Sequence, residues 1–376
     1  MIDTPKVAIV GYSLENYSGE SSVSGEEIGY RVVHRARELA GLHRQSISSV
    51  HNATMDLFDG VTISNGILAP AAGGYDRDCT RIQNGGVFAV MSACASILSE
   101  ASDVAVVISV DTVTTDLMTV SNFSASPYFE QPLGLNSLSS YALFSSALMA
   151  ARCISEEQIA HVAAGSYAAG AQNPYSHIKN GFSSKDVLSS EMVASPLRAR
   201  TVASQQSYGA AALILTSDRI ARTLEVSPIY VTGFGMSTFS DNLDDWLSMT
   251  AVRRAARAAY DMADIHDAPT ELAAVEIDGP FAPFELASYS ALGLCSEGQE
   301  DSVLIKRTGT GISINPSGGV LCTNAPNSGG VFRTVQAAMY LETHAAGNRK
   351  HAVVHDSDLS LGVAGSSHAV AVLERE

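Results

Sequence analysis

Charged side chains are scarce in this 376-residue chain: Asp, Glu, Lys and Arg together make up only 16% of it. Basic residues are scarcer still, 23 Lys and Arg against 39 Asp and Glu, a net charge of 23 − 39 = −16. A nucleic-acid binder needs a basic face, so that class is excluded, although a local basic patch for a phosphate-bearing ligand is not. Long apolar runs are also missing. The stretch from Val104 to Val110 has the length of a strand, far short of the ~20 residues that span a membrane as a helix. Met1-Ile2-Asp3-Thr4-Pro5-Lys6 does not join a basic region to an apolar one, so no secretory signal is expected. Cysteine is sparse and scattered. Cys79, Cys94, Cys153, Cys295 and Cys322 form no CxxC pair, which fits neither a disulfide scaffold nor a zinc site and implies a reduced, cytoplasmic protein. No histidine shows a metal-ligand spacing, so no metal is expected. Aromatic residues are only 7%, with one Trp.

What is abundant is apolar: 46% of the residues. That is too hydrophobic for a disordered chain and predicts a large buried core. Lys6-Val7-Ala8-Ile9-Val10-Gly11 reads as a buried opening strand. Ile28, Val32, Val33, Ala36, Leu39 and Ala40 then share one helical face, with Gly41 as a stop. Residues 85–98 give a second helical pattern, followed by the β-branched run Val104-Ala105-Val106-Val107-Ile108-Ser109, which suits a strand buried on both faces. Residues 111–204 read as irregular, with short helical pieces. Ala210 to Thr216 is another buried strand.

The second half repeats this order. Ile229 to Phe234 is a strand, and Val252, Ala255, Ala256, Ala259 and Met262 form a helical face. Ala263-Asp264-Ile265 stands where the first half has Ala40-Gly41-Leu42. Further strands fall at 273–277 and 369–373, and a helix at 331–344. The recurrence predicts a duplicated α/β unit around a buried sheet. The halves are residues 1–220, which contain the 111–204 region, and 221–376.

Three stretches resemble the thiolase superfamily, and its sterol-carrier-protein type above all. Ile314-Asn315-Pro316-Ser317-Gly318-Gly319-Val320-Leu321 matches the NPSGG run that leads into a Gly-His-Pro loop and a helix. Glu276-Ile277-Asp278-Gly279-Pro280-Phe281, followed by Leu292-Gly293-Leu294-Cys295, is similar to the E-I-H-D-x-F segment and the LG-(F/L)-C that closes the next helix. Ser207-Tyr208-Gly209-Ala210-Ala211-Ala212-Leu213 is similar to the DGAAAL strand entry. The resemblance spans essentially the whole chain. It implies the five-layered αβαβα thiolase fold, two duplicated halves with a central buried helix layer, in a homodimer or homotetramer.

The same resemblance implies chemistry that these residues do not supply. The family uses a helix-terminal cysteine as acyl carrier, a loop histidine as base and a second Cys or His near the C-terminus. The nucleophile position falls on Gln83, or on Ile82 one residue earlier. The loop-histidine position is Ala325, and Asp278 stands where the E-I-H-D-x-F histidine would be. The C-terminal position falls near Leu361-Gly362-Val363-Ala364-Gly365, which holds neither Cys nor His. Gln83 at a helix N-terminus can imitate an acylated cysteine, as in decarboxylating relatives; the plainer reading is a polar residue in an inert site. Cys79 and Cys322 flank the altered loops as candidate displaced nucleophiles, and buried packing is their plainer role. Asp278 as a buried base and Asp278 as a capping carboxylate stand level. His51, His344, His355 and His368 lie near family motifs as substitute bases or structural residues. Asn315, Gly318, Gly319, Gly329, Gly330, Gly362 and Gly365 form loops that close backbone approach explains and that also admit a pantetheine arm. Arg198 and Arg200 are candidates for the phosphates of coenzyme A.

The resulting expectation is a thiolase-like subunit that binds an acyl-CoA or acyl-carrier-bound substrate, with no covalent cofactor. It would serve as an accessory or non-catalytic member of a hetero-oligomeric acyltransferase complex. Its partner would be a catalytic thiolase or ketosynthase, or a small protein with an OB fold and a zinc ribbon. The alternatives are an active acyltransferase, decarboxylase or retro-aldolase on a CoA thioester, and an acyl-thioester or lipid carrier.

Overall fold

The computed structural model describes residues 6–18, 23–112, 126–203, 206–238, 243–300, 302–303, 311–358 and 367–375. Five strands of the first half are β1 (Val7–Ser18), β2 (Ser49–Ala53), β3 (Asp78–Ile82), β4 (Val104–Asp111) and β7 (Tyr208–Ser217). Those of the second are β8 (Ile229–Thr238), β9 (Leu272–Glu276), β10 (Ser313–Ile314), β11 (His351–Ser357) and β12 (Ser367–Glu374). A short ribbon, β5 (Met192–Ala194) with β6 (Leu197–Arg198), stands apart.

The ten strands form one sheet in the order β10-β9-β11-β12-β8-β1-β7-β4-β2-β3. Read inward from each edge, both halves follow the same path: third strand, second, fourth, fifth, first. The senses match too. In each half the second strand pairs parallel with the third and fourth, and the fifth pairs antiparallel with the fourth and first. The halves join where β1 runs antiparallel to β8. The two opening strands even share a defect. Register shifts fall between Ile9 and Gly11 and between Val231 and Gly233. A Cβ on Gly11 would stand 2.1 Å from Ala36 O, and one on Gly233 2.1 Å from Ala259 O. Glycine is thus required at both places by the close approach of a covering helix.

Those covering helices are α1 (Gly25–Leu39) and α6 (Thr250–Ala263). Between the two half-sheets lie α3 (Gly86–Leu98) and α8 (Gly329–His344). The layers are therefore helix, sheet, helices, sheet, helix. Strand faces sort accordingly. Ala105 and Val107 pack in the central core, while Val104, Val106, Ile108 and Val110 pack under α1. Ala369, Ala371 and Leu373 are central, while Val370 and Val372 face the other outer core. Burial on both faces is why these strands read as unbroken apolar runs.

The 111–204 region departs from its expected irregularity. It contains α4 (Ser137–Arg152) and α5 (Glu156–Gln172), both multi-turn helices. Their Ala- and Ser-rich sequences lack the apolar–polar contrast that marks an amphipathic helix. The usable signal was local: capping boxes at Asn136–Ser139 and Ser155–Gln158. Two short helices matter for the site, α2 (Asp56–Asp59) and α7 (Ala282–Ala291). Among the described residues no helix is long and apolar enough to cross a membrane.

Candidate functional site

The carboxyl ends of β4, β9 and β11 converge on the N-termini of the two central helices, where a cavity of about 360 Å³ opens. That size accommodates a small ligand. Its walls are mainly apolar: Phe58 from α2, Leu138 and Tyr141 from α4, Val202, and Phe281 and Phe284 at the start of α7. The aromatic rings brace one another. Tyr141 stacks on Phe281 with centroids 4.3 Å apart, and Phe284 lies 5.7 Å from Phe281.

One end of the cavity is charged. Arg333, one turn into α8, is 2% exposed. Its Nη2 donates to Asp356 Oδ1 at 2.6 Å and lies 3.0 Å from Asp278 Oδ1. Asp278 also accepts from Ser357 N at 3.0 Å and from the Ser357 hydroxyl. Asp356, at the end of β11, sends its other oxygen to the mouth of α3, where Val87 N donates to Oδ2 at 2.9 Å. A helix N-terminus carries unpaired N–H groups and a partial positive charge, so it favours an anion. Here that anion is a carboxylate of the protein itself. The central helices touch backbone to backbone to allow it. A Cβ on Gly86 would stand 2.1 Å from Val331 N, and one on Gly330 2.1 Å from Asp356 Oδ2.

Burial pushes the Asp356 carboxyl well above the usual carboxylate range; Arg333 opposes this and Asp278 reinforces it. Glu276 behind the cluster is pushed up to about 7 by burial, against hydrogen bonds from Ser317. Although burial disfavours the Arg333 cation, the carboxylates of Asp278, Asp356 and Glu276 hold it charged.

A mirror arrangement serves the other central helix. Asp111, at the end of β4, accepts from Asn327 N at 2.8 Å, from Ser328 N at 2.9 Å and from the Ser328 hydroxyl. Ser328 is the N-cap of α8. Asn327 additionally accepts from Met55 N at 3.0 Å and donates to Asp59 at 2.8 Å, which ties α2, and with it Phe58, to the cavity. Burial pushes Asp111 up to about 7.

The structure brings together only some of the residues singled out from the sequence. Asp278, Ala325, Gly329 and Gly330 line the cavity. Gln83 does not; it is exposed in the turn before α3, while Gly85 and Gly86 face the cavity in its place. The Cys322 Sγ is buried against α5, 3.4 Å from Ser166 O. Cys79 lies on the edge strand β3, its Sγ 3.6 Å from Gly74 O, and burial and Asp78 push its thiol up. Asn315 accepts from Ile277 N at 2.6 Å and braces the loop behind the cavity. A Cβ on Gly318 or Gly319 would collide with Gly170 or Asn315, so close packing accounts for both. Gly362 and Gly365 lie outside the described residues.

The histidines divide likewise. His51, within β2, is hydrogen-bonded to Ser49 and Ser92, and His344 is exposed on α8. His355 and His368 meet across the β11–β12 pair, Nε2 to Nδ1, at 3.0 Å, and His368 lines the cavity. Asp278 N donates to His355 Nδ1 at 3.3 Å, so His355 carries its proton on Nε2 and donates it to His368. Burial, then His368 and Arg333, keep His355 neutral by lowering its pKa well below the usual value. Arg198 pairs with Glu156 at 3.0 Å, and Arg200 stacks on Phe182; Ala199, between them in sequence, lines the cavity.

Sequence reasoning missed Arg333, Asp356 and Asp111. A signal was present. Gly85-Gly86-Val87-Phe88 recurs as Gly329-Gly330-Val331-Phe332 at the starts of the two central helices, and an aspartate stands last in one facing strand (Asp111 in β4) and next to last in the other (Asp356 in β11). Chemically, the site offers an apolar chamber with one guanidinium, the three carboxyls of Asp278, Asp356 and Asp358, and a histidine. Among its lining residues there is no thiol.

Residues 236–375 match the family described as Thiolase C-terminal domain-like. An acetyl-CoA acetyltransferase of Methanothermobacter thermautotrophicus is 25% identical over 386 residues, 98% of this chain and 99% of that protein. Sterol carrier protein 2 of Bos taurus is 26% identical over 185 residues, 46% of this chain but only 34% of that protein. Among solved structures, an Ltp2-ChsH2(DUF35) aldolase superposes with a TM-score of 0.84 at 20% identity, covering 98% of both chains. A monomeric SCP2-thiolase like protein type 1 from Mycobacterium smegmatis superposes with a TM-score of 0.75 at 19% identity, covering 98% of this chain and 77% of that one. At such identities these superpositions establish the fold.

Proposed function

We propose that this chain, whose residues 236–375 match the thiolase C-terminal domain-like family and which is 25% identical to an acetyl-CoA acetyltransferase over 98% of its length, is a thiolase-superfamily protein of the sterol-carrier-protein type that binds an acyl thioester of coenzyme A non-covalently. In this reading it is an accessory, thiol-free member of a hetero-oligomeric acyl-transfer assembly. One observation carries it. The helix N-terminus that would activate a thiolate is occupied by the Asp356 carboxylate, and Cys79 and Cys322 are held away from the cavity. An acyl group can enter the apolar chamber, but no thiol there can take it. The phosphates of coenzyme A would meet Arg198 and Arg200, the sequence neighbours of the cavity-lining Ala199. A second protein is supported by the neighbour with the 0.84 superposition, whose name joins Ltp2 to ChsH2.

A second reading has its own support. Aldol cleavage of a 3-hydroxyacyl thioester needs a base for the hydroxyl proton and an acid for the enolate. A buried carboxyl such as Asp356, raised toward neutrality, can serve either purpose, and the same neighbour is named an aldolase. Calorimetry with acyl-CoA, intact-mass analysis and purification alongside candidate partners test both. Binding without a mass adduct supports the first reading, and release of an aldehyde or ketone supports the second. An acyl adduct lost in Cys79→Ser or Cys322→Ser would overturn both.

A further inference from the structure

Arg333 is only partly used by the protein. A guanidinium has five N–H donors. Both ion pairs, to Asp278 and Asp356, are made by Nη2 alone. Nε is buried with no hydrogen-bond partner, and Nη1 makes no hydrogen bond among the described residues. A side chain 2% exposed that leaves donors unfilled is costly unless something else fills them. The space beside it is kept open. Arg333 and Gly329 both line the cavity, and a Cβ on Gly329 would stand 3.0 Å from Nη1. The two carboxylates grip the opposite corner of the guanidinium and fix its plane.

We propose that Nη1 of Arg333 receives the thioester carbonyl oxygen of the bound acyl group, so that this arginine is the oxyanion-binding donor of the site. The inference rests on the acyl-thioester reading and deepens it. The acyl chain would run along Phe281, Phe284 and Tyr141. The carbonyl would end at Arg333, and the α-carbon would lie beside Asp278 and Asp356. Charge that develops on the carbonyl oxygen as an enolate would be met by a fixed cation in a dry site.

The test uses two probes on the intact chain, hexanoyl-CoA and its thioether S-hexyl-CoA, which lacks only the carbonyl oxygen. A charge-assisted hydrogen bond predicts that hexanoyl-CoA binds about tenfold tighter or more. Gly329→Ala, which crowds Nη1 but leaves both ion pairs, should bring that ratio toward one. Arg333→Lys, which keeps the charge but not the planar fork, should do the same. The infrared band of a ¹³C-labelled thioester carbonyl should move to lower frequency on binding the wild type and move less in Gly329→Ala. Equal affinity for the two probes in the wild type, or an unchanged ratio in folded Gly329→Ala, overturns the inference and leaves the acyl-thioester reading standing. Failure of both probes to bind overturns that reading and the inference with it.

Discussion

Asp111 and Asp356 close equivalent strands of the two halves, and each caps the buried helix of the other half. Asp111, from the first half, holds the start of α8 through Asn327 and Ser328; Asp356, from the second, holds the start of α3 through Val87. The exchange ties the halves together at their carboxyl ends, where the cavity forms. It also separates two tasks. The Asp111 network includes Tyr17, whose hydroxyl lies 2.7 Å from the Ser328 hydroxyl, and it fixes the loop that carries Ala325. The Asp356 network includes Arg333 and faces the ligand space.

Removing one partner from the Asp278–Arg333–Asp356 cluster should be costly. Asp356→Ala strands a buried guanidinium with fewer partners and uncaps α3, for an expected loss of about 3–5 kcal/mol. Asp356→Asn keeps an oxygen for Val87 N and should lose less. Urea unfolding of the two variants checks the order; equal losses would contradict the capping role.

Stability should depend on pH through Asp111. Its carboxyl titrates near 3.8 when unfolded and near 7 when folded, raised by burial and opposed by Ser328 and Asn327, with Asp59 adding to the rise. The folded state therefore binds the extra proton between these values. Stability conferred by the protonated form is full below about 4 and declines as pH rises to about 7. Asp111→Asn should remove one proton's worth of this slope in unfolding curves taken across that range. A wild-type curve that rises with pH through the window would contradict the assignment.

The charged end should select against anionic acyl groups. Two carboxyls share one guanidinium there, so a free carboxylate on the acyl group meets net repulsion in a low-dielectric site. Malonyl-CoA should bind about tenfold or more weakly than propionyl-CoA. The gap should narrow on acidification, as Asp356 takes up a proton. Calorimetry at two pH values measures it.

Helix contact at the site should tolerate no side chain. At Gly330 a Cβ would stand 2.1 Å from Asp356 Oδ2 and 2.6 Å from Val87 N. Gly330→Ala should cost about 1–3 kcal/mol or more and should disturb binding. A methyl group on Gly181 would meet nothing within 4 Å, so Gly181→Ala serves as a control and should be near neutral. Thermal denaturation of both gives the comparison.

Much of the fold was legible because the central strands are buried on both faces. Runs such as Val104 to Val110 and Ala210 to Leu215 announce themselves without any partner in view, and α1 and α6 each show one apolar face to a sheet. α4 and α5 were not legible, because Ala- and Ser-rich helices packed on several sides carry little amphipathic contrast. The site divided along the same line. The loops around Asp278 and Ala325 have local sequence patterns, so both residues could be singled out from the sequence, and both line the cavity.

The sequence by itself determined the duplicated α/β architecture, because strand burial and glycine approach are properties of short segments. Tertiary structure alone decided which charged groups meet at the candidate site. Asp356 reaches Val87 across 269 positions, and Asp111 reaches Ser328 across 217. Such charge placement follows from how the two halves cross over each other, and no local pattern of residues encodes the distance between them.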